Sequence, residues 1–179
     1  MNKVFLSLIL VSACLQLHAQ KIYSTKTGQV KFNASTPLEK VAAVNDQVDS
    51  KMVDKTGQIV FSALIKSFKF ENQLMEDHFN ENYMESSKFP KAEFRGYVTN
   101  VSTVNFSKDG KYPVTVDGTL SIHGVQQKVT TTGTMVIEGG KPTIAGTFKV
   151  AIKDYGITGS YIGGKIANDA EISINCKYE

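Results

Sequence analysis

A glycine-rich stretch near the C-terminus has the residue types of a phosphate-binding loop. Gly159, Gly164 and Lys165 have the G-x-x-x-x-G-K spacing, but Ile166 stands where a Ser or Thr hydroxyl would coordinate magnesium. The residues that follow alternate between apolar and polar up to Tyr178, whereas a phosphate loop must lead into a helix. The stretch therefore predicts a flexible connection that bends at the rim of a sheet, and not a nucleotide site.

Two histidines outside the N-terminal segment are candidates for acid–base catalysis or metal binding. His78 follows Glu76 and Asp77, but neighbouring residues on a helix point to different faces, and the sequence has no H-x-x-x-H or H-x-x-E-H spacing. His123 precedes Gly124 in an expected hairpin turn, where a ring nitrogen can satisfy backbone groups of the loop. We therefore expect structural hydrogen bonds for both rings, no metal site and no catalysis.

Cysteine usage gives little support for thiol chemistry. The chain has Cys14 and Cys176, and only Cys176 lies outside the N-terminal segment. A single cysteine cannot form an internal disulfide, and no histidine lies near Cys176 in the sequence to act as its base. We expect Cys176 to be a small buried apolar residue; a reactive thiol is the alternative.

The first 19 residues have the pattern of a secretory signal peptide. Lys3 supplies the positive charge, residues 4–17 are mostly apolar, and the small Ala19 precedes the expected cleavage site. The apolar run is too short to span a bilayer. An alternative interpretation takes residues 11–14 (VSAC) as a lipobox, in which Cys14 would be acylated. Both interpretations predict an exported protein.

The remaining residues, 20–179, are expected to form one domain with a sizeable core, because no linker, repeat or low-complexity segment divides them. The formal net charge of the chain is +3, and the charges are scattered. Since no basic run is present, a nucleic-acid partner is not expected. No second long apolar segment follows the first, so stable membrane insertion is not expected either.

The chain alternates between apolar and polar residues almost throughout, which is typical of half-buried strands. Asp109-Gly110, His123-Gly124 and Gly139-Gly140 separate alternating runs and have the composition of hairpin turns with positive φ. Strands joined by such turns form an antiparallel meander, whose edges are managed by closure into a barrel or a sandwich. The expected strands include residues 30–35, 59–65, 92–98, 114–122, 129–137, 144–152 and 172–178, with a less regular strand or strand pair at 41–53.

One segment, at about residues 72–86, has the period of an amphipathic helix. Met75, Phe79 and Tyr83 recur every four residues and would share one face. Asn72 is a suitable N-cap. A single helix in an otherwise all-β chain is expected to cover one end of the barrel.

Three short motifs, in order along the chain, resemble the signature of the YceI-like family. The first runs from His78 through an aromatic-proline pair to Phe94, the second is GTLSIHGV at residues 118–125, and the third is FKVAIKDYGI at residues 148–157. Together they span most of the expected domain. The resemblance implies an extended, lipocalin-like antiparallel barrel of eight strands with an internal apolar cavity, located in the periplasm.

The resemblance also implies a function, because characterised members of the family bind long isoprenoid chains, including a quinone-type molecule. We expect a lipid-binding or carrier protein that holds an isoprenoid-like or quinone-like molecule in its barrel and performs no chemistry on it. Two alternatives stay open: a stress-related structural or interaction module with a filled barrel, and an enzyme that acts on such a lipid. The sequence leaves open which lipid is bound and whether the protein forms a homodimer.

Alternation alone does not distinguish a filled barrel from a hollow one. If the interior is hollow, one face of each strand lines it and residues next to the helix seal one end. The connection at residues 159–166 would then border the cavity mouth. The expected wall residues are Phe61, Ile65, Phe94, Val98, Leu120, Ile122, Val150 and Ile152, and the expected seal is Phe68, Phe70, Leu74 and Phe79.

Overall fold

The computed structural model describes residues 20–179, so the expected signal peptide and the Cys14 lipobox lie outside the described residues. Within this part of the chain most residues lie in strands, as the alternation predicts. The strands are β1 (Ile22–Asn33), β2 (Ala42–Val53), β3 (Gln58–Leu64), β4 (Lys69–Phe70), β5 (Lys91–Val98), β6 (Gly110–Ile122), β7 (Val125–Glu138), β8 (Lys141–Ala151) and β9 (Asp169–Lys177).

The strands close into an antiparallel barrel. Strands adjacent in the chain are paired, except that the two-residue β4 adds only to β2, and β3 pairs directly with β5. The ring closes because β1 pairs with both β2 and β9. Eight strands therefore form the wall, and the expected lipocalin-like barrel is confirmed. The sequence left open whether residues 41–53 form one strand or a strand pair, and the structure has one continuous strand there, β2.

Two of the three expected hairpin turns are confirmed. His123-Gly124 joins β6 to β7 and Gly139-Gly140 joins β7 to β8, and all four residues have a positive φ, between 52° and 76°. The prediction for Asp109-Gly110 is wrong, because Gly110 begins β6 without a positive φ after a longer connection from β5. The Asp109 carboxylate instead accepts a hydrogen bond from the Gly139 N–H at 2.8 Å, which ties that connection to the neighbouring turn.

The helix is shorter than the predicted segment. α1 (Gln73–His78) begins after Asn72, whose side-chain oxygen accepts a hydrogen bond from the Leu74 N–H at 2.9 Å, as expected of an N-cap. The chain then widens into one π-helical turn at Phe79–Tyr83, so the α-helical period ends before the predicted boundary. None of the helical segments in residues 20–179 has the length and apolar composition needed to cross a membrane.

The barrel interior is packed in one half and hollow in the other. We call the end covered by α1 the helix end, and the opposite end, where β1 begins and β9 stops, the closed end. Side chains near the closed end leave almost no accessible surface, so this half is an ordinary filled core. They include Tyr23, Met52, Ile59, Val98, Met135, Ile137 and Tyr178.

The buried tyrosine at the closed end has a complete hydrogen-bond arrangement. The Ser50 hydroxyl donates to the Val60 carbonyl oxygen at 2.8 Å and lies 2.7 Å from the Tyr178 hydroxyl. Because Ser50 has one proton, Tyr178 donates to Ser50. Burial raises the pKa of Tyr178 far above its ordinary value, while the hydrogen bond with Ser50 acts in the opposite direction.

Candidate apolar binding cavity

The helix half of the barrel contains an inner cavity of about 170 Å³. All eight wall strands contribute to its lining, and apart from Glu93, Thr131, Thr132 and Tyr155 every lining residue is apolar. A cavity of this kind offers water few hydrogen-bond partners, and such cavities take up apolar molecules. The inner cavity can therefore hold a narrow apolar chain, and it presents few groups that could act on that chain chemically.

Most of the predicted lining residues lie at the inner cavity. They come from strands on opposite sides of the barrel and from the segment next to α1, so a molecule in the cavity would contact several of them at once. These residues are Phe61, Ile65, Phe68, Phe79, Phe94, Leu120, Ile122, Val150 and Ile152.

Three predicted lining residues lie elsewhere. Val98 is 1 % exposed in the packed half and does not line the cavity, because the same alternating face of β5 continues down into the filled core. Phe70 and Leu74 lie at a second, outer cavity instead. Leu74 is 61 % exposed and seals nothing, since α1 presents it to the surface. A Val98→Trp substitution would therefore overpack the core and would not test the cavity.

Several lining residues were not identified from the sequence. Phe32 on β1, Phe148 on β8, and Ile172 and Ile174 on β9 all contribute to the inner cavity. Each belongs to an alternating run, so the sequence did indicate that its side chain faces the barrel interior. Alternation does not indicate where along the barrel axis the interior changes from packed to hollow.

The outer cavity, of about 350 Å³, lies at the helix end between α1 and the glycine-rich connection. Tyr161, Ile162, Lys165 and Ile166 from that connection line it. The connection folds as a compact turn, in which the Ile166 N–H donates to the Tyr161 carbonyl oxygen at 2.9 Å. The glycines that give this stretch its phosphate-loop spacing thus belong to a turn at the rim of the barrel.

Four phenylalanine rings separate the outer cavity from the inner one. We call Phe32, Phe68, Phe70 and Phe79 the phenylalanine cluster. The Phe79 ring lies 5.8 Å from the rings of Phe32 and Phe68 and 5.0 Å from that of Phe70, between centroids. These are the distances of favourable tilted aromatic pairs. Phe79 lines both cavities, as do Phe32, Met84, Ile152 and Ile157, so its ring is one of five side chains that lie between them.

The three sequence motifs meet at one point of the helix end. The His123 ring lies 2.8 Å from the Glu85 carboxylate through Nε2 and 3.3 Å from the Tyr155 carbonyl oxygen through Nδ1. Phe89 packs edge-on against the same ring, at 4.5 Å between centroids, and leaves no room for a side chain at Gly124. The expected structural role of His123 is confirmed, because its ring joins three separate segments.

His78 does not have the hydrogen bond that we expected. It is exposed at the end of α1, and its ring forms no hydrogen bond with another residue in 20–179. It lies at the outer cavity. Within the same range, no group of His, Cys, Asp and Glu side chains is arranged to hold a metal ion.

Cys176 is a buried apolar residue. It is fully buried on β9, and a Cβ at Gly28 would collide with its sulfur, so the strands approach closely here. Burial raises the pKa of the Cys176 thiol from 9.0 to about 12, although a hydrogen bond from the Gln29 backbone acts in the opposite direction. The reactive-thiol alternative is therefore not supported by its surroundings.

We expect Cys176 to resist thiol reagents at about pH 8 in the folded protein and to react once the protein is denatured. Since folding raises its pKa, folding favours the neutral thiol. This stabilisation is complete below the ordinary value of 9.0 and is lost as the pH rises toward about 12. Urea unfolding at increasing pH measures the loss, and Cys176→Ala should show a shallower decline. Rapid labelling of the folded protein would contradict this expectation.

The sequence profile of the YceI-like domain matches residues 21–178. No curated protein matches the chain by sequence. The match covers all nine strands and α1, so it describes the whole barrel and not one of its motifs.

Solved structures show the same fold at low sequence identity. One is a polyisoprenoid binding domain from Saccharophagus degradans implicated in plant cell wall breakdown, with a TM-score of 0.77 and 12% identity over 90% of this chain and 99% of that chain. Burkholderia cenocepacia BcnA has a TM-score of 0.69 and 15% identity over 85% and 96% of the two chains. A Campylobacter jejuni YCEI protein has a TM-score of 0.54 and 18% identity over 100% and 99%.

Proposed function

The chain belongs to the YceI-like family, and from this premise we propose that it is an exported lipid-binding protein whose barrel holds an isoprenoid-like or quinone-like chain without altering it chemically. The observation that carries the proposal is the inner cavity, whose lining is almost entirely apolar. The structural neighbour described as a polyisoprenoid binding domain supports the ligand class.

The energetics suit a thin hydrocarbon chain. Transfer of an apolar chain from water gains about 0.8 kcal/mol per buried CH₂ group, so a few isoprene units give a useful affinity without polar contacts. The half-buried rings of Phe32, Phe61 and Phe148 already leave surface accessible inside the barrel, so a ligand can contact them without unpacking the core. The filled half near the closed end limits how far such a chain can reach.

Binding without catalysis is supported by the placement of the titratable groups. The His123 ring is held at the barrel rim by the Glu85 carboxylate and the Tyr155 carbonyl oxygen, and it does not line the inner cavity. Glu93, the charged residue of the lining, lies on the outward-facing half of the β5 alternation. Tyr155 also lines the inner cavity, but burial and the nearby Asp154 raise the pKa of its hydroxyl, so it stays neutral and is a poor proton donor. General acid–base chemistry needs a suitable titratable group within hydrogen-bond reach of the reacting atom.

Native mass spectrometry of the protein purified from its own host tests the proposal. We expect the folded protein to carry an added mass that is lost after extraction with organic solvent and identified in the extract as an isoprenoid lipid. The extracted protein should take up dansyl-farnesol with a rise in fluorescence. Reproducible absence of both a co-purified lipid and dye uptake would show that the barrel is not a lipid carrier.

A further inference from the structure

The ladder between β7 and β8 is incomplete. Within residues 20–179, its last pair toward the helix end is Gly133 with Gly146. Both strands continue beyond this pair, since β7 extends back to Val125 and β8 extends forward to Ala151. In this region β7 pairs only with β6 and β8 pairs only with β9. The two strands therefore separate while each keeps its other neighbour.

The separation is bounded at both ends, which makes it a slit. At one end lies the Gly133–Gly146 pair. At the other, the Gln127 side-chain amide donates to the Asp154 carbonyl oxygen at 2.8 Å, which ties β7 to the turn after β8. We call the opening between residues 128–132 and residues 147–151 the β7–β8 slit. At about 3.3 Å per residue it is about 16 Å long.

The β7–β8 slit opens onto the inner cavity. Val129 and Thr131 on β7 and Phe148 and Val150 on β8 flank it, and all four line the cavity. The remaining ladders on this side are continuous, as β6 and β7 are paired from Gly110–Ile137 to Ile122–Val125. The lateral wall is thus open where the cavity lies and closed on either side.

The edges of the slit carry features that keep an open edge from pairing with another strand. Lys128 on β7 and Lys149 on β8 are exposed on the outer surface, and lysines at strand edges oppose edge-to-edge association. The Thr131 hydroxyl donates to the Thr132 carbonyl oxygen at 3.4 Å at the slit edge. The two lysines and the Thr131 hydroxyl therefore help to keep both strand edges unpaired, so that the slit stays open.

We propose that the β7–β8 slit is the lateral portal through which an apolar chain enters and leaves the inner cavity. The inference rests on the proposed function and adds the route. The other routes are obstructed. The side chains that line both cavities, Phe79 among them, lie between the inner cavity and the helix end, and packed side chains such as Met52 and Met135 fill the closed end. The β2–β3 ladder also stops short of the helix end, at Asp49–Ser62, but there the Asn45 side-chain amide donates to the Leu64 carbonyl oxygen at 2.9 Å and bridges the two strands. Through the slit a chain passes beside the half-buried ring of Phe148 and displaces no fully buried side chain.

Bridging the slit tests the portal. Continuing the register beyond Gly133–Gly146 places Thr130 opposite Lys149, and both side chains are exposed. In Thr130→Cys/Lys149→Cys, bifunctional thiosulfonates of graded length can join the two strands whatever the width of the slit. Cys176 does not compete, since it is fully buried. The matched control is Tyr97→Cys/Asp117→Cys, because these two residues are exposed and lie opposite each other in the continuous β5–β6 ladder, away from the slit.

The readout is the rate at which dansyl-farnesol enters and leaves the delipidated protein, measured by stopped-flow fluorescence. We expect bridging across the slit to slow both rates at least tenfold, reduction to restore them, and bridging of the control pair to change neither. Exchange at the unbridged rate in the bridged slit variant would overturn the portal while leaving the carrier function intact. Failure of even the unsubstituted protein to take up the dye would overturn both proposals.

A second pair of variants tests the portal without cross-linking. Phe148 and Phe61 are both half-buried rings of the inner cavity, but Phe148 flanks the slit, whereas Phe61 is paired on both sides, with Ser50 on β2 and with Phe94 on β5. Phe148→Ala should raise the association rate of dansyl-farnesol severalfold, and Phe61→Ala should not. Equal association rates for the two variants would contradict a lateral route.

Discussion

Replacing Leu120 with Trp should abolish ligand binding while the barrel stays folded. Leu120 lies on β6 opposite Phe94 and lines the inner cavity. A cavity of about 170 Å³ has little room to spare, so the larger ring would occupy the space that the ligand needs. Because the ring enters a void and not a filled core, the cost of overpacking should stay near or below about 1–3 kcal/mol. We expect at least a hundredfold loss of dansyl-farnesol affinity, or about 2.8 kcal/mol.

Thr119→Trp is the matched control, because Thr119 directly precedes Leu120 on β6 and belongs to the outer face of the strand. It lies between Arg95 and Lys128 on the neighbouring strands. It introduces the same ring on the same strand without reaching the cavity. Equilibrium fluorescence titration measures affinity, and urea unfolding verifies that both variants are folded. Unchanged affinity in a folded Leu120→Trp protein would show that the ligand does not occupy the inner cavity.

The contrast between Leu120 and Val98 shows what the sequence could and could not predict. Both belong to alternating runs, and both point into the barrel. A period of two specifies which face of a strand is buried, and it specifies this correctly here. Whether the buried face meets a void depends on side chains across the barrel, such as Met52 and Tyr178 in the packed half. Those contacts are far apart in the chain, so local alternation carries no information about them.

The β7–β8 slit was hidden from the sequence for a related reason. The alternation of β7 runs without interruption past Gly133, because the strand stays paired with β6 along its length. The missing partner is on the other side, and strand pairing depends on how two separate runs are oriented in the closed barrel. The glycines at 133 and 146 mark the last pair, but glycines elsewhere in the wall, such as Gly96 and Gly118, lie within a complete ladder.

The motif at His123 was predicted more fully, because its chemistry is local. A two-residue turn with Gly124 requires positive φ, and a ring next to such a turn has backbone groups within reach. The partners Glu85 and Tyr155 come from distant segments and could not be named from spacing. Their convergence explains how the chain holds the helix end in place above the cavity, since one ring fastens the segment after α1 to two wall connections.

Replacing Phe79 with Ala should open a second route into the barrel. The Phe79 ring is one of the five side chains that line both cavities, and it contacts the three other rings of the phenylalanine cluster. Without it, the two cavities would become one passage from the helix end to the interior. The truncation of a fully buried phenylalanine costs about 3–5 kcal/mol, and half-buried Phe79 should cost less. A domain stable by about 5–15 kcal/mol tolerates that loss.

The informative experiment combines Phe79→Ala with the bridged β7–β8 slit. If the slit is the natural route and the phenylalanine cluster blocks the other, bridging should slow dansyl-farnesol exchange and Phe79→Ala should restore it in the bridged protein. Phe70→Ala is the control, because it removes a ring from the same cluster that lines only the outer cavity. Equal rescue by both variants would mean that general loosening of the helix end admits the ligand. Rescue by Phe79→Ala alone would identify its ring as the barrier that makes a lateral portal necessary.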